Sequence, residues 1–186
     1  KSQKRAPRKI RAKTDKLAGL PFSESVPRAK IKVIGVGGGG GNIVSEISSR
    51  VQRFEFVGAN TDSQALKELP KKVKSFSFGQ DLTDGLGCGM DAELGERCAK
   101  AEKDKIKLLL EGSDICILIA TLGGGTGSGA VTTFAEISQE AKGLTLGIFT
   151  IPFAFEGDRR KQIAEAALEK IKPFVNAYVI IPNDHI

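Results

Sequence analysis

The stretch Gly123-Gly124-Gly125-Thr126-Gly127-Ser128-Gly129 constrains this chain more than any other, because its five glycines and two hydroxyls offer backbone rather than side chains to whatever lies beside them. It follows the apolar run Asp114-Ile115-Cys116-Ile117-Leu118-Ile119-Ala120, which reads as a buried strand, and precedes a helix expected from Ala130 to about Ala141. Residues without Cβ let backbone N–H groups approach an anion, and the start of the next helix adds unpaired amides and a positive dipole end. A strand, a glycine loop and a helix in that order make a phosphate cradle. Thr126 and Ser128 are also able to cap the helix, but capping alone does not require glycines on both sides.

The rest of the chain repeats this alternation. Ile31–Val36 is a β-branched strand that runs into a loop of five glycines, 37–41, before a helix opening at Asn42 with Ile43 and Ile47 on one face. Strands follow at 54–60 and 73–78, separated by a short helix capped by Thr61-Asp62. A long glycine-punctuated loop, 79–90, leads into one helix from Asp91 to about Glu111, with Leu94, Cys98, Ala101 and Leu108 as its apolar face and Gly112 as its stop. Strands at 144–151 and 174–181 enclose the Pro152–Gly157 loop and a helix presenting Ile163, Ala167 and Ile171. Strands alternating with helices predict an α/β fold: three layers, doubly wound about a mainly parallel sheet. Every unusual loop follows a strand, so all of them gather at one sheet edge, where such folds bind ligands.

Charge divides the chain in two. Residues 1–30 hold ten Lys or Arg against Asp15 and Glu24, a net +8, while the other 156 residues hold 18 basic and 20 acidic groups, a net −2. Residues 1–29 therefore read as a basic, disordered arm and 30–186 as the globular domain. The arm is most simply a solvated extension. Its charge otherwise suits nucleic acid, acidic lipid or an acidic protein partner, although no interleaved aromatics mark it for specific nucleic-acid binding. There is neither a run of about 20 apolar residues nor a signal-peptide pattern, which excludes a transmembrane segment and gives a cytoplasmic location as the default. Cys88, Cys98 and Cys116 are too few and too far apart for a disulfide framework or a zinc site, so they read as reduced thiols, with Cys88 the most exposed. His185, the only histidine, has no partner in sequence and receives no role. The last strand ends five residues before the chain does, with no helix after it to cover it, as expected of a domain cut from a longer protein.

Gly35-Val36-Gly37-Gly38-Gly39-Gly40 satisfies the G-x-G-x-x-G dinucleotide pattern, with Asp62 as the acidic residue after the second strand. A nicotinamide-dependent oxidoreductase would use Gly35, Gly37, Gly40 and Asp62 and leave the second glycine loop without work. The lysine-bearing triphosphate loop, G-x-x-x-x-G-K-[ST], is absent, and neither glycine loop contains a lysine. Two glycine loops argue instead for one nucleoside triphosphate held between them.

Gly37–Asn42, Asn60-Thr61-Asp62, Gly85-Leu86-Gly87-Cys88-Gly89, Gly123–Gly129, Pro152–Gly157 and Ile181-Pro182-Asn183-Asp184, in this order, resemble the GTPase domain of the FtsZ family, the cell-division relatives of tubulin. The resemblance covers about residues 30–186. It implies GTP and GDP as ligands, with Mg²⁺ bridging their phosphates through water. Gly38, Gly39, Gly40 and Gly41 would lie under the phosphates, with Asn42 toward the base. Cys88, Gly89 and Met90 would stand where the family senses the γ-phosphate, and Gly124, Gly125, Thr126 and Gly127 would hold the α- and β-phosphates. Glu156 would accept from the ribose, Arg160 would approach the phosphates and Asn183 the sugar or base.

From residues alone, Glu156 and Arg160 are equally an i, i+4 ion pair. Cys88, Met90, Asp91 and Ile151 depart from the family's common pattern, which bears on nucleotide affinity. The resemblance further implies head-to-tail filaments, a C-terminal domain after this one, and hydrolysis completed by an acidic loop of the adjacent subunit. That loop and the helix that recognises the base would both lie beyond residue 186, so no catalytic residue is expected in this chain. A third reading, a non-enzymatic module docking through its basic arm, is separable by deleting residues 1–28.

Overall fold

The computed structural model describes residues 28–183. The expected arm falls almost wholly outside them, as do Asp184 and His185. Six strands, β1 (Ile31–Val36), β2 (Glu55–Asn60), β3 (Val73–Ser77), β4 (Ile115–Thr121), β5 (Leu144–Ile151) and β6 (Ala177–Pro182), form one sheet in the order β3-β2-β1-β4-β5-β6. Every pairing is parallel. All six carboxyl ends therefore lie on one edge.

Seven α-helices accompany the sheet among the described residues: α1 (Gly37–Arg50), α2 (Ser63–Lys67), α3 (Gln80–Thr83), α4 (Ala92–Ala101), α5 (Lys103–Leu110), α6 (Gly125–Glu140) and α7 (Asp158–Ile171). Neighbouring strand residues point to opposite faces, as pleating demands. Val33, Phe56 and Ile119 pack with Val44 of α1 on one face. Ile34, Val57 and Leu118 pack on the other with Cys98 of α4, Ile106 of α5, Phe134 of α6 and Ala167 of α7. The sheet is thus covered on both sides, which is why its central strands read as continuous apolar runs.

Several boundaries differ from the sequence reading. The glycines at 37–41 are not a loop but the first turn of α1, and α6 begins at Gly125 rather than Ala130. Close packing is the reason. A Cβ on Gly35 would meet the Gly40 carbonyl oxygen at 2.2 Å, and one on Gly40 would meet the Ile119 carbonyl oxygen at 2.5 Å, so absent side chains let the helix lie directly on β1 and β4.

The single helix expected from 91 to 111 is broken at Glu102, whose φ of −117° and ψ of 27° leave the helical region. The break rotates the apolar face: Ile106 and Leu110 are buried, whereas Ala101 is exposed and Leu108 is 71% exposed. The last strand starts at Ala177 rather than 174, after a 3₁₀ turn over Lys172–Phe174, and lies at the sheet edge with Tyr178 and Val179 open to solvent. Cys88 is buried, not exposed. No helix among the described residues is long and apolar enough to cross a membrane.

Candidate functional site

The strand order reverses direction at β1 and β4. From β1 the chain moves outward to β2 and β3, then returns past β1 to add β4 on its other side. The segments leaving β1 and β4 diverge, and the crevice between them is the switch point where doubly wound folds take ligands. The two glycine runs sit there, one at the start of α1 and the other at the start of α6.

They touch each other. Gly37 has φ +77°, and a Cβ on it would meet the Gly127 amide nitrogen at 2.8 Å, so both its conformation and its neighbour require glycine. Between the two helix starts opens a cavity of about 230 Å³. Gly38, Gly39, Gly89, Gly124, Gly125, Thr126, Gly127, Glu156, Arg160 and Asn183, all singled out from the sequence, line it.

Neither helix has a side-chain cap at its start, because Val36 and Gly124 occupy the N-cap positions. The first-turn amides have no acceptor within their helix. Gly125 N is satisfied locally by the Gly89 carbonyl at 2.8 Å, but helix geometry leaves Thr126 and Gly127 of α6, and Gly38 and Gly39 of α1, facing the crevice without an intrahelical acceptor. Two helix dipoles thus present their positive ends to one space, each equivalent to about half a unit charge.

Gly38 and Gly124 leave open space in the cavity. Nothing in the protein lies within 4 Å of where their Cβ atoms would be, and neither has a positive φ, so the protein's own packing does not require glycine at either position. Both line the cavity, and a methyl group there would occupy the room left for a ligand. Uncapped amides, two dipoles and vacant Cβ positions fit a polyphosphate.

The other predicted residues are placed differently. Gly40 packs α1 onto β1 and β4, and Gly41 and Asn42 line a small adjoining space of about 30 Å³ on the α2 side. Cys88 lies behind the cradle wall, and its carbonyl oxygen would be 2.8 Å from a Cβ on Gly125. Met90 faces a separate cleft between α4 and α7. Glu156 and Arg160 are ion-paired at 3.0 Å, and the second Glu156 carboxylate oxygen accepts from Phe153 N at 2.8 Å. The i, i+4 pair and the cavity wall are therefore the same two residues.

Asp62 accepts from the amides of Gln64 and Ala65, at 2.8 and 3.2 Å, and so caps α2. That use engages Oδ1 of the carboxylate a nicotinamide site would need for ribose. Ser128 Oγ accepts from Gly123 N at 2.8 Å and shapes the turn before α6.

Sequence reasoning read Thr61 as a helix cap within the Asn60-Thr61-Asp62 motif and gave neither Thr61 nor Thr121 a ligand-binding role. Thr121 lines the cavity, and its Oγ1 occupies the place a Gly39 Cβ would take. Thr61 is fully buried, with its Oγ1 2.8 Å from Thr126 Oγ1 and 3.4 Å from Cys88 Sγ. For Thr121 the signal was a hydroxyl at the polar end of an apolar strand, and for Thr61 also its place in the Asn60-Thr61-Asp62 motif. Burial pushes the neighbouring Cys98 thiol up to about 11, with the adjacent Cys88 thiol adding to the effect.

Fold and cavity together define a doubly wound α/β domain with a glycine-rich cavity at its switch point whose described lining contains no lysine. The model of the Tubulin/FtsZ family, GTPase domain, matches residues 30–186, and the chain belongs to that family. It is 42% identical over 167 residues to the cell division protein FtsZ of Coxiella burnetii and 41% identical over 165 residues to that of Buchnera aphidicola, covering 89% and 88% of this chain. The chain spans 43% of the length of each of these relatives.

Among solved structures, an FtsZ dimer from M. jannaschii superposes with a TM-score of 0.80 at 37% identity, over 84% of this chain and 46% of that one. A GTPγS-bound protofilament of CetZ2 from Haloferax volcanii superposes with a TM-score of 0.78 at 28% identity, over 83% of this chain and 49% of that one. These similarities give no support to the nicotinamide alternative.

Proposed function

We propose that this chain is the GTP-binding domain of an FtsZ-type polymerising GTPase of the cytoplasm, acting in cell division. The observation that carries the reading is the cradle itself: two uncapped helix starts facing one cavity, with open Cβ positions at Gly38 and Gly124. Amides and dipoles replace the usual lysine as the neutralising charge. Arg160, the only cationic residue on the cavity wall among the described residues, would exchange its Glu156 partner for phosphate and release Glu156 to the ribose hydroxyls. Asn183 on the cavity wall and Asn42 in the adjoining space are the candidates for base and sugar.

The same wall suggests how hydrolysis is divided between subunits. Among the described residues Glu156 is the only carboxylate lining the cavity, and both its oxygens are engaged, so these residues would hold the phosphates and leave activation of water to acidic groups of an adjacent subunit. No cluster of three metal-ligating side chains occurs among the described residues, so a Mg²⁺ ion would be held mainly by nucleotide phosphates and water. Leu86 and Phe155, 81% and 83% exposed, stand on loops at the same sheet edge as the cavity. An apolar rim of this kind suits a face that a second subunit covers in a head-to-tail filament. A C-terminal domain and an acidic partner for the basic arm belong to the same proposal.

Calorimetric titration with GTP, GDP, ATP and NAD tests the ligand. Saturable binding of GTP and GDP with little ATP binding is expected, together with negligible GTP turnover by the isolated chain. Preference for NAD or ATP would overturn the reading.

A further inference from the structure

Thr61, Thr126 and Cys88 come from three separate elements: the end of β2, the first turn of α6 and the loop before α4. Their side chains meet in one buried line. Thr61 Oγ1 is 2.8 Å from Thr126 Oγ1 and 3.4 Å from Cys88 Sγ, and either atom of each pair is able to donate. Thr61 and Cys88 are shut off from solvent, 0% and 6% exposed, while Thr126 borders the phosphate cavity.

The Cys88 loop is already hinged at both ends. Ser63 N donates to the Gly85 carbonyl at 2.9 Å, and Gly125 N donates to the Gly89 carbonyl at 2.8 Å. Thr61 also fixes α3 through its carbonyl oxygen, which accepts from Thr83 Oγ1 and Gln80 Nε2, each at 3.4 Å.

A hydroxyl has one proton, so the direction of such a chain is a two-way choice. Without an anion, Thr126 is free to donate inward to Thr61, which then donates to the Cys88 sulfur. With an anion in the cavity, the Thr126 proton turns outward to it, and the Thr126 oxygen must accept from Thr61. Thr61 Oγ1 then accepts from the Cys88 S–H. One charge at the cavity wall thereby reverses three donors in a low-dielectric interior, where hydrogen bonds polarise one another.

We propose that Thr61 is a positioning residue that relays phosphate occupancy from Thr126 to the Cys88 thiol, and through it to the 85–89 loop. The inference rests on the nucleotide reading above. No covalent step is involved: each proton stays on its own heavy atom and only the donor direction changes.

The test uses the whole chain with GDP and with hydrolysis-resistant GTP, reading affinity by calorimetry and the Cys88 S–H stretch by infrared difference spectroscopy, with the band assigned by its loss in Cys88→Ala. In the wild type the Cys88 band should shift to lower frequency when nucleotide binds, as the thiol becomes a donor to Thr61 Oγ1, a stronger acceptor than the adjacent Cys98 sulfur. Thr61→Val keeps the shape and removes the hydroxyl, so the shift should vanish and affinity should fall about tenfold, the effect of weakening one hydrogen bond to a charged group. Thr61→Ser should restore both, affinity to within about twofold.

A wild-type Cys88 band unmoved by bound nucleotide overturns the relay even if Thr61→Val fails to fold. Wild-type affinity and shift in a folded Thr61→Val also overturn it. A wild-type chain that binds neither nucleotide refutes the GTP reading instead, so the two failures are distinguishable.

Discussion

Alanine at Gly124 and alanine at Gly125 are chemically the same change one residue apart, and the structure gives them opposite consequences. At Gly125 a Cβ would lie 2.8 Å from the carbonyl oxygens of Cys88, Gly89 and Asp91, all of them backbone and none free to rotate away. The 88–91 segment has to retreat, which costs about 1–3 kcal/mol as overpacking. Retreat also stretches the 2.8 Å bond from Gly125 N to Gly89 O, worth a further 0.5–1.5 kcal/mol or so. A total of about 2–4 kcal/mol lowers Tm by roughly 5–15 °C in a chain of this size.

At Gly124 the backbone has φ −103° and ψ −178°, which any residue adopts, and the Cβ position is empty. The gain from stiffening the unfolded chain, about 0.4–1 kcal/mol, offsets the small preference for glycine over alanine at an N-cap, so Tm should move by no more than about 2 °C. The methyl group instead stands where phosphate oxygens would meet the α6 amides. Displacing one charged hydrogen bond of about 1.5–3 kcal/mol weakens GDP binding roughly ten- to 150-fold. Differential scanning fluorimetry and calorimetry on the two variants check both halves. Equal losses of Tm, or wild-type GDP affinity in Gly124→Ala, would refute the argument that vacant Cβ space marks the ligand.

Two further outcomes follow from groups away from the cradle. Burial pushes the Cys116 thiol up to about 11, so the folded state favours the protonated form. The stability this group contributes is complete below the thiol's ordinary value near 9 and is lost as pH rises through the folded value; Cys116→Val should flatten the decline of Tm between about pH 9 and 11. Glu96 on α4 is paired with Lys100 at 2.5 Å and with Lys170 of α7 at 2.9 Å, and hydrogen bonds from these two lysines hold its carboxyl below the usual range. Its contribution is present above the ordinary carboxylate value and lost as pH falls through the lowered one. Glu96→Gln should therefore cost up to about 1 kcal/mol at pH 7, and the Tm difference should narrow progressively as the pH falls below the ordinary carboxylate range.

The sequence by itself determined the layered fold, the strand set and the edge at which the site lies. Alternating apolar strands and amphipathic helices admit little else, and two lysine-free glycine runs after strands specify a backbone cradle. Local residue type was sufficient for those conclusions because they depend on chain chemistry within a few residues.

Tertiary structure decided what each glycine is for. Gly35, Gly40 and Gly125 are glycine because another backbone passes within 3 Å, whereas Gly38 and Gly124 are glycine with nothing of the protein beside them. Sequence writes all five with the same letter. The same limit hid the break at Glu102, which turned Leu108 outward, and the burial of Cys88 behind the cradle wall. It also hid Thr61, 65 residues from Thr126 along the chain and 2.8 Å from it in space. Contacts of that kind are set by how β2 and β4 flank β1 in the sheet, and no local pattern encodes their distance.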